Sequence, residues 1–132
     1  MGPDNALWFT ERLADKIGRI TADGLLTEYP LPPFADGTRS PAGITTGPDG
    51  NLWTTEVLAK SVARITPGGT VTEFPVPSGA SPAGITADPD GTIWFTEPFV
   101  ARIARVDVGG PPTSGNCKNK TETGTGSRTS GP

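Results

Sequence analysis

The sequence predicts an all-β protein that is built from one repeated unit. A first motif reads WFTE, WTTE and WFTE, and it begins at Trp8, Trp53 and Trp94. A second motif reads RIT, RIT and RVD, and it begins at Arg19, Arg64 and Arg105. Both series are spaced by 45 and then 41 residues. Self-similarity at this period is typical of propellers and solenoids, so the repeat is the strongest guide to the fold.

Residues 40–77 contain one full unit, in which four short segments are separated by turn signals. The segments are 42–46, 51–56, 61–66 and 70–75, and Pro-Asp-Gly and Pro-Gly-Gly lie among the turns. Asp-Gly and Gly-Gly between β-branched and aromatic runs indicate hairpins, because type I′ turns need positive φ at both central residues. These short connections leave no room for crossovers. We therefore expect a four-stranded antiparallel meander, whose strands we call A to D.

Proline indicates which strand lies at the edge of each sheet. Pro75 and Pro30 occupy the same place in strand D of two units. Proline cannot donate a ladder hydrogen bond, so strand D is predicted to be outermost.

Strand B carries large or β-branched side chains on both faces, with Leu52 and Thr54 on one face and Trp53 and Thr55 on the other. Each sheet is therefore predicted to lie between two others, as the blades of a β-propeller do. An all-β sandwich is the alternative, but it does not require a repeat.

The repeats supply about two and a half blades. The ranges are a partial blade at 2–39, a complete blade at 40–80 and a partial blade at 81–110. The first unit lacks strand A, and Pro111-Pro112 follows where the third unit should begin strand D. Residues 111–132 are polar and low in complexity, so they are predicted to be a disordered tail. An open arc leaves apolar blade faces in water, which favours further blades from a longer chain or a homo-oligomer that completes a ring.

Composition excludes several classes of function. The net charge is −3 and no basic cluster occurs, so we expect no nucleic-acid partner. No apolar run is long enough to span a membrane, and we expect no membrane partner. The first ten residues lack the features of a signal peptide, which makes the cytoplasm the default location. The chain has one cysteine and no histidine, which excludes an internal disulfide and the usual Ser-His-Asp arrangement.

The repeat resembles the virginiamycin B lyase (streptogramin lyase) family. The resemblance rests on GPDGNLWTTE, on SVARITPGGTVTEFPVP and on SPAGITADPDGTIWFTE, and it covers residues 2 to 110. It implies a seven-bladed propeller that opens the lactone of a cyclic depsipeptide by Mg²⁺-assisted elimination of a C–O bond.

The resemblance also implies site residues. Glu56 and Glu97 match a family metal-binding glutamate at the end of a strand B, so Mg²⁺ is the implied cofactor. The family's catalytic histidine falls on Ala42 and Ala83, and a second family glutamate falls on Ser40 and Ser81. No catalytic residue is therefore assigned to this chain, and the base would have to come from further blades.

The glutamates have a structural alternative, because a residue in every repeat often serves the scaffold. Glu11, Glu56 and Glu97 each precede an arginine by eight residues, which suggests a repeated polar contact. Ligand binding is expected where the repeats differ. The longer loop from strand D to strand A carries Phe34 and Arg39. It is expected at the rim of the propeller where the glutamates end strand B, and Phe99, which follows Glu97, lies on that rim as well. The first hypothesis is therefore a segment of a lyase-like enzyme that needs further blades. The second is a non-catalytic module that binds a small molecule or peptide at this rim. The third is a truncated fragment without independent activity.

Overall fold

The computed structural model describes residues 2–35, 37–77 and 79–107, and the backbone of residues 117–121. Within these residues it contains eleven β-strands and one 3₁₀ turn at Pro98–Val100. No helix in this part of the chain is long and apolar enough to cross a membrane. The strands are β1 Leu7–Glu11, β2 Lys16–Ile20, β3 Leu26–Pro30, β4 Pro41–Thr46, β5 Leu52–Glu56, β6 Ser61–Ile65, β7 Val71–Pro75, β8 Ile85–Asp88, β9 Thr92–Glu97, β10 Arg102–Asp107 and β11 Cys117–Thr121.

The strands form three antiparallel meanders. The sheet orders are β1-β2-β3, β4-β5-β6-β7 and β8-β9-β10-β11, so neighbours in the chain are neighbours in the sheet. This confirms an all-β fold of propeller blades, with a first blade that lacks its innermost strand. Pro30 ends β3 and Pro75 ends β7, and both strands are outermost, as predicted from the missing proline N–H.

The third blade differs from the prediction. Strand β11 pairs antiparallel with β10, from Arg102 opposite Thr121 to Val106 opposite Cys117. The prediction of a disordered tail is therefore wrong for residues 117–121, and the third sheet has four strands. An open sheet edge offers unpaired N–H and C=O groups to any extended segment, so pairing does not need apolar side chains. The rest of the predicted tail lies outside the described residues.

The same backbone conformation recurs at the turn between strands B and C. Asp15, Lys60 and Ala101 occupy this place in the three units, with φ of 55°, 55° and 53°. These non-glycine residues adopt the left-handed conformation, which usually requires a structural reason. Three unrelated side chains share it, so the hairpin geometry rather than residue preference imposes the turn.

Two apolar cores lie between the three sheets. Trp8 of the first sheet packs with Leu52 and Ile65 of the second. Trp53 of the second sheet packs with Ile93 and Phe95 of the third. The tryptophan faces of the first and second blades are therefore buried against the next blade, and they form the cores that hold the three blades together.

Each buried tryptophan is oriented by a polar side chain from the preceding turn. The indole N–H of Trp8 donates to Asp4 (2.9 Å), and that of Trp53 donates to Asp49 (3.1 Å). An unsatisfied indole N–H would be costly in these cores, so the Pro-Asp turn also serves the packing between blades.

A threonine hydroxyl joins each blade to the next. Thr10 donates to the carbonyl oxygen of Ala42 (3.0 Å), and Thr55 donates to that of Ala83 (2.7 Å). The hydroxyl oxygen of Thr55 also accepts from the Gly43 N–H (3.0 Å). Thr55 is fully buried, so both partners depend on it for a hydrogen bond.

We predict that Thr55→Val lowers the free energy of unfolding by about 2–4 kcal/mol, because it leaves two half-buried main-chain groups between the blades without partners. Thr96→Val is the matched control. Thr96 has the same place in the third blade, accepts from the Gly84 N–H (3.0 Å) and is exposed, so its loss should cost under about 1 kcal/mol. Urea denaturation followed by tryptophan fluorescence measures both variants. Equal losses would contradict the proposed role of this bond between blades.

Candidate functional site

The three glutamates expected at one rim end equivalent strands of the three blades. Glu11 ends β1, Glu56 ends β5 and Glu97 ends β9. Glu56 and Glu97 are fully buried, whereas Glu11 is half-buried. The equivalent positions thus lie at the same end of their sheets, but two of the carboxyl groups do not face solvent.

Glu56 lies in a buried cluster with Arg39 and Glu73. The Arg39 Nη1 atom is 3.1 Å from Oε1 of Glu56 and 3.3 Å from Oε1 of Glu73. Glu73 is on the outermost strand β7, opposite Ala63 of β6. Glu56 is opposite Ser61 of the same strand β6, so the two glutamates lie on one face of the sheet with only the small side chains of Ser61 and Ala63 between them.

Burial and the neighbouring Glu73 perturb the carboxyl group of Glu56. Burial, followed by the hydrogen bond with Glu73 and its charge, raises the pKa of Glu56 to about 9, against the opposing effect of Arg39. The two acids therefore retain one proton between them at neutral pH, and the positive charge of Arg39 compensates the remaining negative charge.

The first blade contains an equivalent pair. A hydrogen bond with Glu28, together with burial, raises the pKa of Glu11. The same hydrogen bond and Lys16, whose Nζ lies 3.3 Å from Glu28, lower the pKa of Glu28.

The loop that carries Arg39 is anchored to the first blade. Asp15 accepts hydrogen bonds from the main-chain N–H groups of Arg39 (2.9 Å) and Ser40 (3.0 Å). Burial opposes ionisation of Asp15, but its hydrogen bonds with Thr38, Arg39 and Ser40 lower its pKa overall. The Ser40 hydroxyl accepts from Nε of Arg12 (2.8 Å). The end of the connection between the first two blades, next to β4, is therefore held to the first blade by Asp15 and Arg12.

Phe34 and Phe99, two of the predicted ligand-binding residues, are placed differently. Phe34 is half-buried, and the Arg39 guanidinium stacks over its ring at 5.2 Å from the centroid. Phe99 is 86% exposed on the short 3₁₀ turn after β9. Beside Phe34 lies an open cavity of about 400 Å³. Its lining residues are Phe34, Gly37, Thr38, Leu58, Ala59 and Lys60.

The cluster does not fit the Mg²⁺ ion that the family resemblance implies. Among residues 2–35, 37–77 and 79–107, no three His, Cys, Asp or Glu side chains are grouped to hold a metal ion. A guanidinium already contacts Glu56, and Glu97 is buried and engaged in an interaction of its own. Ala42 and Ala83 contribute main-chain carbonyl oxygens to the contacts between blades, and no base.

The arginine that follows each glutamate by eight residues makes a repeated contact with an aromatic ring. Each of these arginines lies over the tryptophan opposite it in the sheet, and the polar contact suggested by the spacing stays a prediction. Arg19, Arg64 and Arg105 lie 5.9, 5.9 and 6.0 Å from the ring centroids of Trp8, Trp53 and Trp94. The register of strands B and C, which pairs these residues directly, accounts for the contact.

Sequence reasoning missed Glu73 as a member of the cluster. The available signal was a second constant spacing, since Glu28 follows Glu11, and Glu73 follows Glu56, by 17 residues. In a meander this spacing brings strands B and D to the same face on either side of strand C. Arg39 was expected to meet a ligand, and that role stays a prediction. In the structure its guanidinium donates to Glu56 and to the carbonyl oxygens of Pro32 and Pro33.

The comparisons with known proteins agree with this architecture. Residues 1–122 match the Virginiamycin B lyase family. A solved streptogramin B lyase structure is 41% identical with a TM-score of 0.79, and the match covers 92% of this chain and 39% of that one. A catalytically inactive virginiamycin B lyase from Staphylococcus aureus, solved with quinupristin, is 41% identical with a TM-score of 0.79, over 91% of this chain and 39% of that one.

A more distant structure supports the fold alone. The hydrazine synthase of Kuenenia stuttgartiensis is 22% identical with a TM-score of 0.69, over 83% of this chain and 31% of that one. No curated protein matches the chain.

Fold and packing together define a partial β-propeller of the lyase-like repeat class. The chain belongs to the virginiamycin B lyase family. It spans 39% of the length of the streptogramin B lyase structure that it matches.

We predict that the chain loses stability as pH rises from 4.5 towards 9, because folded Glu56 keeps a proton that the unfolded chain releases near its ordinary pKa of 4.5. The stabilisation is complete below the unfolded pKa and disappears as pH passes through the folded pKa. One proton gives a slope of at most about 1.4 kcal/mol per pH unit.

Glu56→Gln should remove most of this slope, since the amide can still donate to Glu73 but does not titrate. The residual slope belongs to Glu11. Urea denaturation at a series of pH values measures the effect, and Asp23→Asn, an exposed turn substitution, is the control. A slope that is unchanged in Glu56→Gln would refute the assignment of the retained proton.

Proposed function

We propose that this chain forms part of a streptogramin lyase-like ring, and that the base which opens a cyclic depsipeptide lactone comes from other blades. The supporting observation is the replacement at the matched positions. Ala42 and Ala83 stand where the family resemblance implies a histidine, and the sequence contains no histidine. Abstraction of a proton next to a carbonyl requires a positioned base, and a methyl group cannot act as one.

The same proposal applies to the Mg²⁺ ion that the resemblance implies. The described residues supply no grouped set of three ligands, and Arg39 already contacts Glu56. We therefore propose that any metal used in the reaction is held mainly by side chains of other blades. This chain would contribute the adjoining rim and the packing of its neighbours.

Quinupristin, the ligand in the related structure, can be used to test whether the chain needs other blades for catalysis. The chain alone is incubated with quinupristin, with MgCl₂ and with EDTA, and liquid chromatography with mass spectrometry detects ring opening. Elimination gives an isomer of unchanged mass, whereas hydrolysis adds a water. For the chain alone we expect no ring opening above the rate in buffer. A complete lyase of the family, assayed in parallel as the positive control, should convert the substrate fully. Mg²⁺-dependent elimination by this chain alone would contradict the proposal.

The two terminal blades support the proposal that further blades are the partners. Leu7 of the first blade is 51% exposed, whereas its equivalents Leu52 and Ile93 are 2% and 0% exposed. Trp94 of the third blade is half-buried, whereas Trp53 is fully buried. These faces are the two sides of the packing that joins the blades, so a second copy or a further blade can complete both.

Association between copies makes this partner proposal testable. Light scattering after size-exclusion chromatography should give a mass above that of the monomer, which rises with protein concentration. Leu7→Lys should restore the monomer by placing a charge on the face, whereas Leu13→Lys, at a site that is 99% exposed, should not. A monomer at every concentration would exclude self-assembly and leave blades of a longer chain as the partner.

The cavity beside Phe34 favours a second candidate function, the binding of a small molecule on the rim. Its wall combines the Phe34 ring and the half-exposed Leu58 side chain with Lys60. Such a surface suits an aromatic or aliphatic ligand that carries an anionic group. This function would need neither a base nor a metal.

The dye 8-anilinonaphthalene-1-sulfonate is a probe of that chemistry. We predict that Leu58→Ser weakens the affinity for the dye about tenfold, that Lys60→Gln also weakens it, and that EDTA has no effect. Leu13→Ser is the control for binding elsewhere. Affinity that stays the same in Leu58→Ser and Lys60→Gln would exclude this cavity as the binding site.

A further inference from the structure

The Arg39 head group is surrounded by oxygen atoms. Its Nη1 atom contacts carboxylate oxygens of Glu56 (3.1 Å) and Glu73 (3.3 Å). Its Nε atom donates to the carbonyl oxygen of Pro32 (2.6 Å), and Nη2 donates to that of Pro33 (3.3 Å). Two carboxylates and two main-chain carbonyl groups are the ligand types that Ca²⁺ and Mg²⁺ take from proteins.

The same pocket contains carboxylate oxygens that the guanidinium does not contact. Oε2 of Glu56 and Oε2 of Glu73 are buried, and within the described residues no main-chain N–H and no side-chain hydroxyl donates to them. Glu56 itself is fully buried. Buried carboxylate oxygens without such donors are rare, and a cation is one of the few partners that can compensate them.

The first two units each combine an acid pair with a cation. In the first blade Glu11 and Glu28 pair, and Lys16 contacts Glu28. In the second blade Glu56 and Glu73 pair, and Arg39 contacts both.

The third unit has neither the second acid nor the loop arginine. Asn119 stands opposite Ala104, where Glu73 stands opposite Ala63, and Ala80 stands where Arg39 does. The pocket around Arg39 is therefore particular to the second unit.

We propose that the pocket formed by Glu56, Glu73 and the carbonyl oxygens of Pro32 and Pro33 is a cation site whose resident cation is the Arg39 guanidinium. The wild-type pocket therefore takes no divalent metal. Truncation of Arg39 converts it into a site for a hard divalent cation, and Ca²⁺ is the best fit because it accepts irregular oxygen cages.

Thermal unfolding with and without Ca²⁺ tests the proposal. The wild-type melting temperature should change by less than about 1 °C in CaCl₂ or EDTA, because a ligand that does not bind the folded state cannot stabilise it. Arg39→Ala should melt more than about 10 °C lower, since it leaves buried carboxylates without their cation. CaCl₂ should restore at least half of that loss, and EDTA should reverse the gain.

Two further variants identify the ligands. Arg39→Ala combined with Glu56→Gln should not respond to Ca²⁺. Arg39→Lys, which keeps a positive charge in the pocket, should also be unresponsive. Arg64→Ala is the matched control, since Arg64 also lies over an aromatic ring but has no carboxylate ion pair among those found in the described part of the chain.

Calorimetric titration with CaCl₂ and MgCl₂ gives a second readout. We expect one Ca²⁺ per chain for Arg39→Ala and no binding to the wild type. Stoichiometric binding to the wild type that Glu56→Gln abolishes would overturn the assignment of Arg39 as resident cation. An Arg39→Ala chain that shows no gain from Ca²⁺, whether folded or unfolded, would overturn the conversion.

Discussion

The structure depends on burial of the tryptophan face of one blade against the next. Trp8 and Trp53 are core residues only because a second and a third sheet cover them. A single four-stranded meander has too little apolar surface on one face to be stable alone in water. Each blade therefore has a tryptophan on one face and a leucine or isoleucine on the other. The tryptophan of one blade packs against the leucine or isoleucine of the next. The threonine bonds to the next blade and the Asp–indole bonds both serve this packing.

Much of this architecture follows from the sequence because it rests on local rules that each unit repeats. The meander follows from short turns, and the edge position of strands β3 and β7 follows from Pro30 and Pro75. Strand β11 does not follow, because its polar composition resembles that of a linker. Its order comes from the exposed edge of β10, and that edge exists only after the sheet has folded.

The candidate site was less predictable for a related reason. Glu56 was identified from its position, but its partners come from a loop before β4 and from strand β7. The ion pair with Arg39 depends on a bend in that loop, which Asp15 of another blade stabilises. A repeated spacing could have indicated Glu73. No spacing could have indicated Arg39, because it occurs in one unit alone and its guanidinium reaches the acids only through the folded loop.

The order of strands within each sheet bears on how the chain acquires its structure during synthesis. Every sheet is assembled from consecutive segments, and no strand waits for a distant part of the polypeptide. The strands of each meander can thus pair as soon as its last hairpin leaves the ribosome, and the sheet is stabilised when the next meander condenses on its apolar face. This topology favours the addition of one blade after another from the amino terminus.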